Sequence, residues 1–465
     1  MRLRTGLAIG GILATVAAAQ PAAARTLQEA LALAYATNPT LLAARAQLRS
    51  VDENVPAALA GWRPTVTFAG TAGPATGKTV STLVASGTTV GTNENRNESS
   101  LTGTVTQPLY RGGRTVASTN RAENLVDAQR AALQSTEQTV FSNATLSYIN
   151  VIQDQQILAL DVNNEQVLAK QLQATNDRFR VGEITRTDVA QAEAALAGAT
   201  ATRQAAEGTL ATAQASYEQF IGERPVALVE PQPLRLPTRT LDQARALAST
   251  NNPNVVQALF TDAGARDFLD VQYSALMPNV SLQGSVFRTE NVTQKGLTQN
   301  GTSLLATLTV PIFQGGSEYA AVRQARQSEQ QARKQVDDAR RTAVQAVVSA
   351  WQTYVSDQAA IASTRSQIRA NQIALEGVER EAIVGSRTTL DVLNAQQLLL
   401  QSQTTLVQAL ASFVNASYSV AAGVGRLTAR DLGLGVPLYD ETAYYKAVKN
   451  LWIGTGDFAT DQPGR

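Results

Sequence analysis

Val181-Gly182-Glu183-Ile184-Thr185-Arg186-Thr187-Asp188-Val189 and Val384-Gly385-Ser386-Arg387-Thr388-Thr389-Leu390-Asp391-Val392 share the pattern V-G-x-x-T-x-x-D-V. Long Ala/Gln-rich stretches flank both. A Gly in such a stretch suits the left-handed position just past a helix end. A Thr three residues later can cap the next helix, and an Asp three further on favours that helix's positive end. Each stretch therefore predicts the tip of a helical hairpin.

The flanks agree. The intervals Gly113–Gly182 and Gly316–Gly385 are both 69 residues; neither contains Pro, and internal Gly is confined to Gly377. At 1.5 Å per residue each leg is on the order of 100 Å long. Apolar residues recur every seventh position in Val347, Tyr354, Ile361, Ile368 and Leu375, and again in Leu393, Leu400, Val407, Val414 and Ala421. Val126, Leu133 and Val140, then Ala144, Val151 and Leu158, keep the same step. A sustained seven-residue period makes helices supercoil left-handedly. On periodicity alone, an ordinary coiled-coil rod fits equally well. The return legs, Gly182–Gly222 and Gly385–Gly425, are only 40 residues. Two modest helices open each half, split by Asn38-Pro39 and Asn252-Pro253; stacked on the return legs, they would match the long legs in length.

The two halves correspond throughout. Thr26-Leu27 answers to Thr240-Leu241, Pro64 to Pro278, Pro108 to Pro311 and Gly222 to Gly425, with 11 extra residues in the first half between Pro64 and Pro108. The Gly/Thr/Ser-rich run Thr71–Asn97 lies there and predicts a surface loop with strand shoulders. Strand-like alternation flanks it: Val66 and Phe68 against Thr65 and Thr67, and Leu101, Gly103 and Val105 against Thr102, Thr104 and Thr106. In the second half Val280, Leu282, Gly284 and Val286 alternate with Ser281, Gln283 and Ser285, and Leu304, Ala306, Leu308 and Val310 alternate with their neighbours. Such runs are long enough to cross a bilayer as tilted strands of about 10 residues. Alternation alone fits a soluble β-hairpin better.

Composition narrows the function. The chain has 465 residues, 39 Lys+Arg against 38 Asp+Glu, no His and no Cys. Without His or Cys there is no Ser-His or Cys-His catalysis, no zinc-thiolate site, no disulfide and no lipidated cysteine. Near-neutral charge gives no sign of nucleic-acid binding, and nothing calls for a cofactor or metal. Arg2 and Arg4, an apolar run from Leu7 to Val16 and Ala22-Ala23-Ala24 form a secretory signal peptide cut after Ala24. No later stretch is apolar enough for a transmembrane helix, so a membrane crossing must use strands. Four strands cannot close a barrel, since the smallest membrane barrels have eight. Three chains would supply twelve; two would supply eight, which side chains largely fill.

These features together resemble the TolC family of outer-membrane export channels. The resemblance rests on the duplicated layout, the V-G-x-x-T-x-x-D motifs, and Gln107-Pro108-Leu109-Tyr110-Arg111-Gly112-Gly113 with Val310-Pro311-Ile312-Phe313-Gln314-Gly315-Gly316. It runs from Thr26 to Tyr445. It implies a mainly α fold with membrane β: long coiled-coil-like hairpins forming a trimeric α-barrel, topped by a 12-stranded transmembrane β-barrel with four strands per protomer. It implies the outer membrane as location, with a long periplasmic part, and a homotrimer working with a periplasmic membrane-fusion adaptor and an inner-membrane pump of the ABC type. Val181, Gly182, Thr185, Val384, Gly385 and Thr388 match the adaptor-docking turns. Arg387 matches a gating arginine and Asp188 the aspartate that pairs with it. Asp391 matches an acidic ring at the periplasmic constriction, where three like charges would raise its pKa. Two positions depart from the family: Asn394 stands for a second constriction aspartate and Ala382 for a gating tyrosine. The resemblance therefore implies a less acidic constriction and a looser resting gate.

On this reading residues 1–24 are the signal peptide. Residues 25–225 are a first repeat, with short helices, two strands over 62–110 with an extracellular loop, and a long hairpin over 114–222. A linker spans 226–239. Residues 240–427 are a second repeat, with short helices, two strands over 278–313 and a hairpin over 317–425. Residues 428–465 form an equatorial extension ending in a disordered tail. Pro437-Leu438-Tyr439-Asp440, Tyr444-Tyr445 and Trp452 resemble the extension of channels used in type I protein secretion. Multidrug efflux by the same fold, and a secreted coiled-coil structural or adhesion protein, remain open. No clustered acidic pair supports a carboxylate enzyme.

Overall fold

The computed structural model describes residues 25–83 and 87–458; the signal peptide and the end of the C-terminal extension lie outside the described residues. The first half runs α1 (Leu27–Thr37), α2 (Pro39–Asp52), α3 (Asn54–Leu59), β1 (Thr65–Leu83), β2 (Thr88–Arg111), α4 (Arg114–Arg180) and α5 (Arg186–Ile221). The second runs α6 (Leu241–Asn251), α7 (Pro253–Tyr273), β3 (Asn279–Glu290), β4 (Thr298–Thr309), α8 (Ser317–Ile383) and α9 (Thr389–Gly423), followed by α10 (Ala443–Val448). Both long helices, α4 and α8, have 67 residues. No helix among the described residues is long and apolar enough to cross a membrane. The chain forms two compact units.

One unit comprises residues up to 33, 144–232 and 363–411. In it Arg25 is clasped to the segment after α5. The Arg25 N–H donates to Ala227 O at 3.0 Å and the Val229 N–H donates to Arg25 O at 3.1 Å. The buried Tyr148 hydroxyl lies 2.8 Å from Arg25 O and 2.6 Å from Val229 O. Arg25 also pairs with Glu223 at 2.7 Å. A buried hydroxyl facing two carbonyls is satisfied whichever it serves, which locks two distant segments to α4.

The other unit comprises residues 34–143, 233–362 and from 412 onward. Heptad positions along α8 are buried: Val322, Ala325, Ala332, Val336, Ala343 and Val347. Val347 joins Ala244, Ala248, Val255, Ala343 and Val424 in one apolar cluster. The end of α9 meets the α6–α7 junction there, with Asn252 Nδ2 donating to Gly423 O at 3.0 Å. Gly425 takes φ 81°, and a Cβ on it would lie 2.5 Å from Asn251 O. Only Gly fits this close approach at positive φ.

The four strands form one antiparallel sheet in the order β1-β2-β3-β4, leaving β1 and β4 as open edges. One face carries the row Val66, Val105, Gly284, Leu304 and the row Phe68, Gly103, Val286, Thr302. Phe68 is 77% exposed. The opposite face carries Thr67, Thr104, Ser285 and Ser303, the last two 2.7 Å apart through their hydroxyls. The predicted alternation thus becomes an apolar face and a polar face. Near the base of β2 a bulge falls between Pro108 and Tyr110. Pro108 has no N–H for the ladder, and a bulge tolerates that loss.

The expected loop over Thr71–Asn97 is corrected by the structure. Here β1 and β2 pair without interruption from Thr65↔Thr106 to Leu83↔Thr88. β3 and β4 pair only from Asn279↔Thr309 to Glu290↔Thr298. The extra residues of the first half therefore lengthen a β-ribbon. Thr and Val favour extended backbone, and the Gly residues are compatible with it once a partner strand supplies hydrogen bonds.

Candidate functional site: the two hairpin tips

Both tips lie in the first unit. Helix α4 ends in a paired hydrogen-bond pattern: the Gly182 N–H donates to Phe179 O at 2.9 Å and the Glu183 N–H to Arg178 O at 3.0 Å. Helix α8 ends the same way, from Gly385 to Ala382 O at 3.2 Å and from Ser386 to Glu381 O at 2.9 Å. Gly182 and Gly385 have φ of 81° and 79°. This is the left-handed helix stop the sequence predicts, and it satisfies carbonyls that the helix end leaves free.

The next helices begin with reciprocal caps. The Thr185 N–H and hydroxyl donate to Asp188 Oδ2 at 3.0 and 2.7 Å, and the Asp188 N–H donates to Thr185 Oγ1 at 3.4 Å. The Thr388 N–H and hydroxyl donate to Asp391 Oδ2 at 3.0 and 2.8 Å, and the Asp391 N–H donates back at 3.2 Å. The Thr185 hydroxyl, then its amide, hold the Asp188 carboxyl below the usual range. The Thr388 amide, then its hydroxyl, do the same for Asp391. This is opposite in direction to the rise that a ring of three carboxylates would impose. Thr185→Ala is expected to cost about 1 kcal/mol of local helix stability, as cap removal typically does. Hydrogen exchange should then quicken in the first turn of α5 and remain unchanged in α9.

The ion pairs at the tips were not legible beforehand. Arg387 Nε donates to Glu381 Oε2 at 2.8 Å, across the turn of its own hairpin. Arg178 Nε donates to Glu183 Oε1 at 2.9 Å across the first turn. Spacings of six and five residues fall outside the i,i+3 and i,i+4 pairs that helix-face reasoning detects. Within one chain, then, Asp188 engages Thr185 and Arg387 engages Glu381. Val181, Ile383 and Val384 are exposed, whereas Ala382 is buried. Asn394 lies in the second turn of α9. Among the described residues no group of His, Cys, Asp or Glu side chains could hold a metal ion.

The turns present exposed apolar side chains beside half-exposed charges at the helix ends. The family model described as outer membrane efflux protein matches residues 30–223 and 244–426. Outer membrane efflux protein BepC of Brucella suis is 36% identical over 95% of this chain and 94% of its own. Outer membrane protein TolC of Escherichia coli is 26% identical over 67% of this chain and 66% of its own. Alkaline protease secretion protein AprF of Pseudomonas aeruginosa is 24% identical over 67% and 66%. The crystal structure of outer membrane protein VceC from Vibrio cholerae superposes with TM-score 0.74 at 18% identity, covering 86% of this chain and 96% of that one. With the family model matching most of its length, and with a mainly helical fold that carries one small sheet, this chain belongs to the outer membrane efflux protein family, whose members are outer-membrane channels and not enzymes.

Proposed function

We propose that the protein is one third of a homotrimeric duct. Four strands from each of three copies close a twelve-stranded barrel in the outer membrane, and the helical hairpins line a tunnel across the periplasm. Residues 25–225 and 240–427 are copies of one duplicated unit. The observation that carries this reading is the sheet: four strands, two open edges, one apolar face and one polar face. An open edge in lipid leaves backbone groups unpaired at several kcal/mol each. Neighbouring copies satisfy those edges.

The tips take the roles that the resemblance implies. Val181, Gly182, Thr185, Val384, Gly385 and Thr388 dock a periplasmic membrane-fusion adaptor, and a pump of the ABC type in the inner membrane supplies the cargo. Asp188 and Arg387 pair in the closed assembly, and Asp391 and Asn394 line the constriction. An exposed Arg–carboxylate pair is weak enough to exchange partners on docking. Asp188→Ala and Arg387→Ser are each expected to increase resting conductance in planar bilayers; unchanged conductance in both variants sinks the gate assignment.

Type I protein secretion is the favoured task, supported by the C-terminal extension and by a relative named for protease secretion. Multidrug efflux is the second reading, favoured by the 36% identity to a protein named for efflux. Deleting the gene and measuring both secreted proteins and drug susceptibility separates them. A strain that loses only drug resistance refutes the secretion reading.

A further inference from the structure

The C-terminal extension follows a defined course. The Ala429 N–H donates to Glu137 Oε1 at 2.6 Å, the Tyr445 ring lies 5.2 Å from the Arg130 guanidinium, and Lys449 Nζ lies 2.9 Å from Glu123. Glu137, Arg130 and Glu123 are successive heptad positions on α4, read toward that helix's start beside the sheet. A second ladder runs the same way. The Tyr439 N–H donates to Tyr35 Oη at 3.0 Å, the Tyr444 hydroxyl donates to Glu53 at 2.8 Å, and Arg63 Nη1 donates to Leu451 O at 2.7 Å. Arg63 stands two residues before β1, and its guanidinium lies 4.9 Å from the centre of the Trp452 ring.

The extension thus brings Leu451 and Trp452 to the base of the sheet and presents apolar side chains there. Trp452 is 65% exposed and Ile453 is 89% exposed. Other large apolar residues gather at the same end of the sheet: Trp62 before β1, Tyr110 near the end of β2, Met277 before β3 and Phe313 after β4, all exposed. Aromatic residues in this position form the girdle by which membrane strands sit at the lipid–water boundary. Trp suits that layer because its ring is apolar and its N–H remains hydrated. We propose that Trp452 and Ile453 extend this girdle and dock this part of the C-terminal extension into the periplasm-facing leaflet of the outer membrane. The partner is a lipid surface, and the extension becomes a strap held by protein along α4 and by lipid at Trp452 and Ile453. The inference rests on the reading of the sheet as membrane-spanning, which its apolar face supports.

The test uses the full-length protein in phosphatidylethanolamine–phosphatidylglycerol liposomes. Of the three tryptophans, Trp62 and Trp351 are replaced by Phe, leaving Trp452 as the reporter. Lipids brominated high on the acyl chain should quench it more strongly than lipids brominated near the chain end, and its emission should be blue-shifted relative to water. Phe68→Trp, in a background without the three native tryptophans, reports separately on the sheet. If Phe68→Trp is quenched by lipid but Trp452 responds only to aqueous acrylamide, the anchor is refuted. If Trp452 is shielded from both quenchers, it is covered by another copy, and the anchor is equally refuted. If Phe68→Trp is not quenched by lipid, the membrane reading of the sheet fails, and the anchor falls with it.

Discussion

Phe68→Arg is expected to abolish assembly in the outer membrane. Phe68 lies on the apolar face of β1, opposite Gly103 and in line with Val286 on β3. An arginine at mid-bilayer depth on the lipid face of a barrel costs about 2–4 kcal/mol. The proposed trimer would bear that cost three times, and a barrel built from separate chains would have no covalent closure to offset it. The proposed trimer should then be missing from semi-native gels, and the protein from the outer-membrane fraction. Thr67→Arg, one residue away on the polar face, should assemble as the wild type does. Equal damage from both substitutions, or from neither, would show that the two faces do not divide lipid from lumen.

The second large effect concerns Asp52, at the end of α2. Its side chain is fully buried, and neither carboxylate oxygen has a hydrogen-bond partner. Burial pushes its pKa from the ordinary 3.8 up to about 7, against the pull of Arg130 and Arg49 and with the help of Glu53 and Glu441. A carboxyl with a raised native pKa stabilises the fold fully below its unfolded value. That stability is lost as pH rises through the native value, here from about pH 4 to about pH 7. Asp52→Asn keeps the shape and removes the titration. Its stability relative to wild type should therefore grow across that window and level off above it, by at most about 4 kcal/mol at 1.36 kcal/mol per unit. Thermal melts of the detergent-solubilised protein at either end of the window measure the difference. A gap that does not change with pH would mean that Asp52 stays ionised in the native state. Tyr439 and Glu441 precede α10, so ionisation of Asp52 would first loosen the extension where it crosses α2.

Much of the candidate site was readable in advance because its geometry is local. A glycine at positive φ, a threonine cap and an aspartate three residues later act within one turn of chain, and both tips adopt that geometry. The long legs were readable for a related reason: without Pro and with a seven-residue apolar period, helix is the conformation that buries the stripe. The β-ribbon was misread because Gly, Thr and Ser are indifferent to strand or loop until a partner strand takes up their backbone hydrogen bonds.

Helix legs, tip turns and strand alternation were thus settled by residue order alone, since each depends on neighbours a few positions away. Tertiary structure alone decided that Arg387 meets Glu381, that Asp52 is sealed from water, and that Arg63 receives Leu451 of the extension. The last contact joins residues 388 positions apart. No local pattern encodes such pairings, because they form only once packing has removed the competing partners and the water.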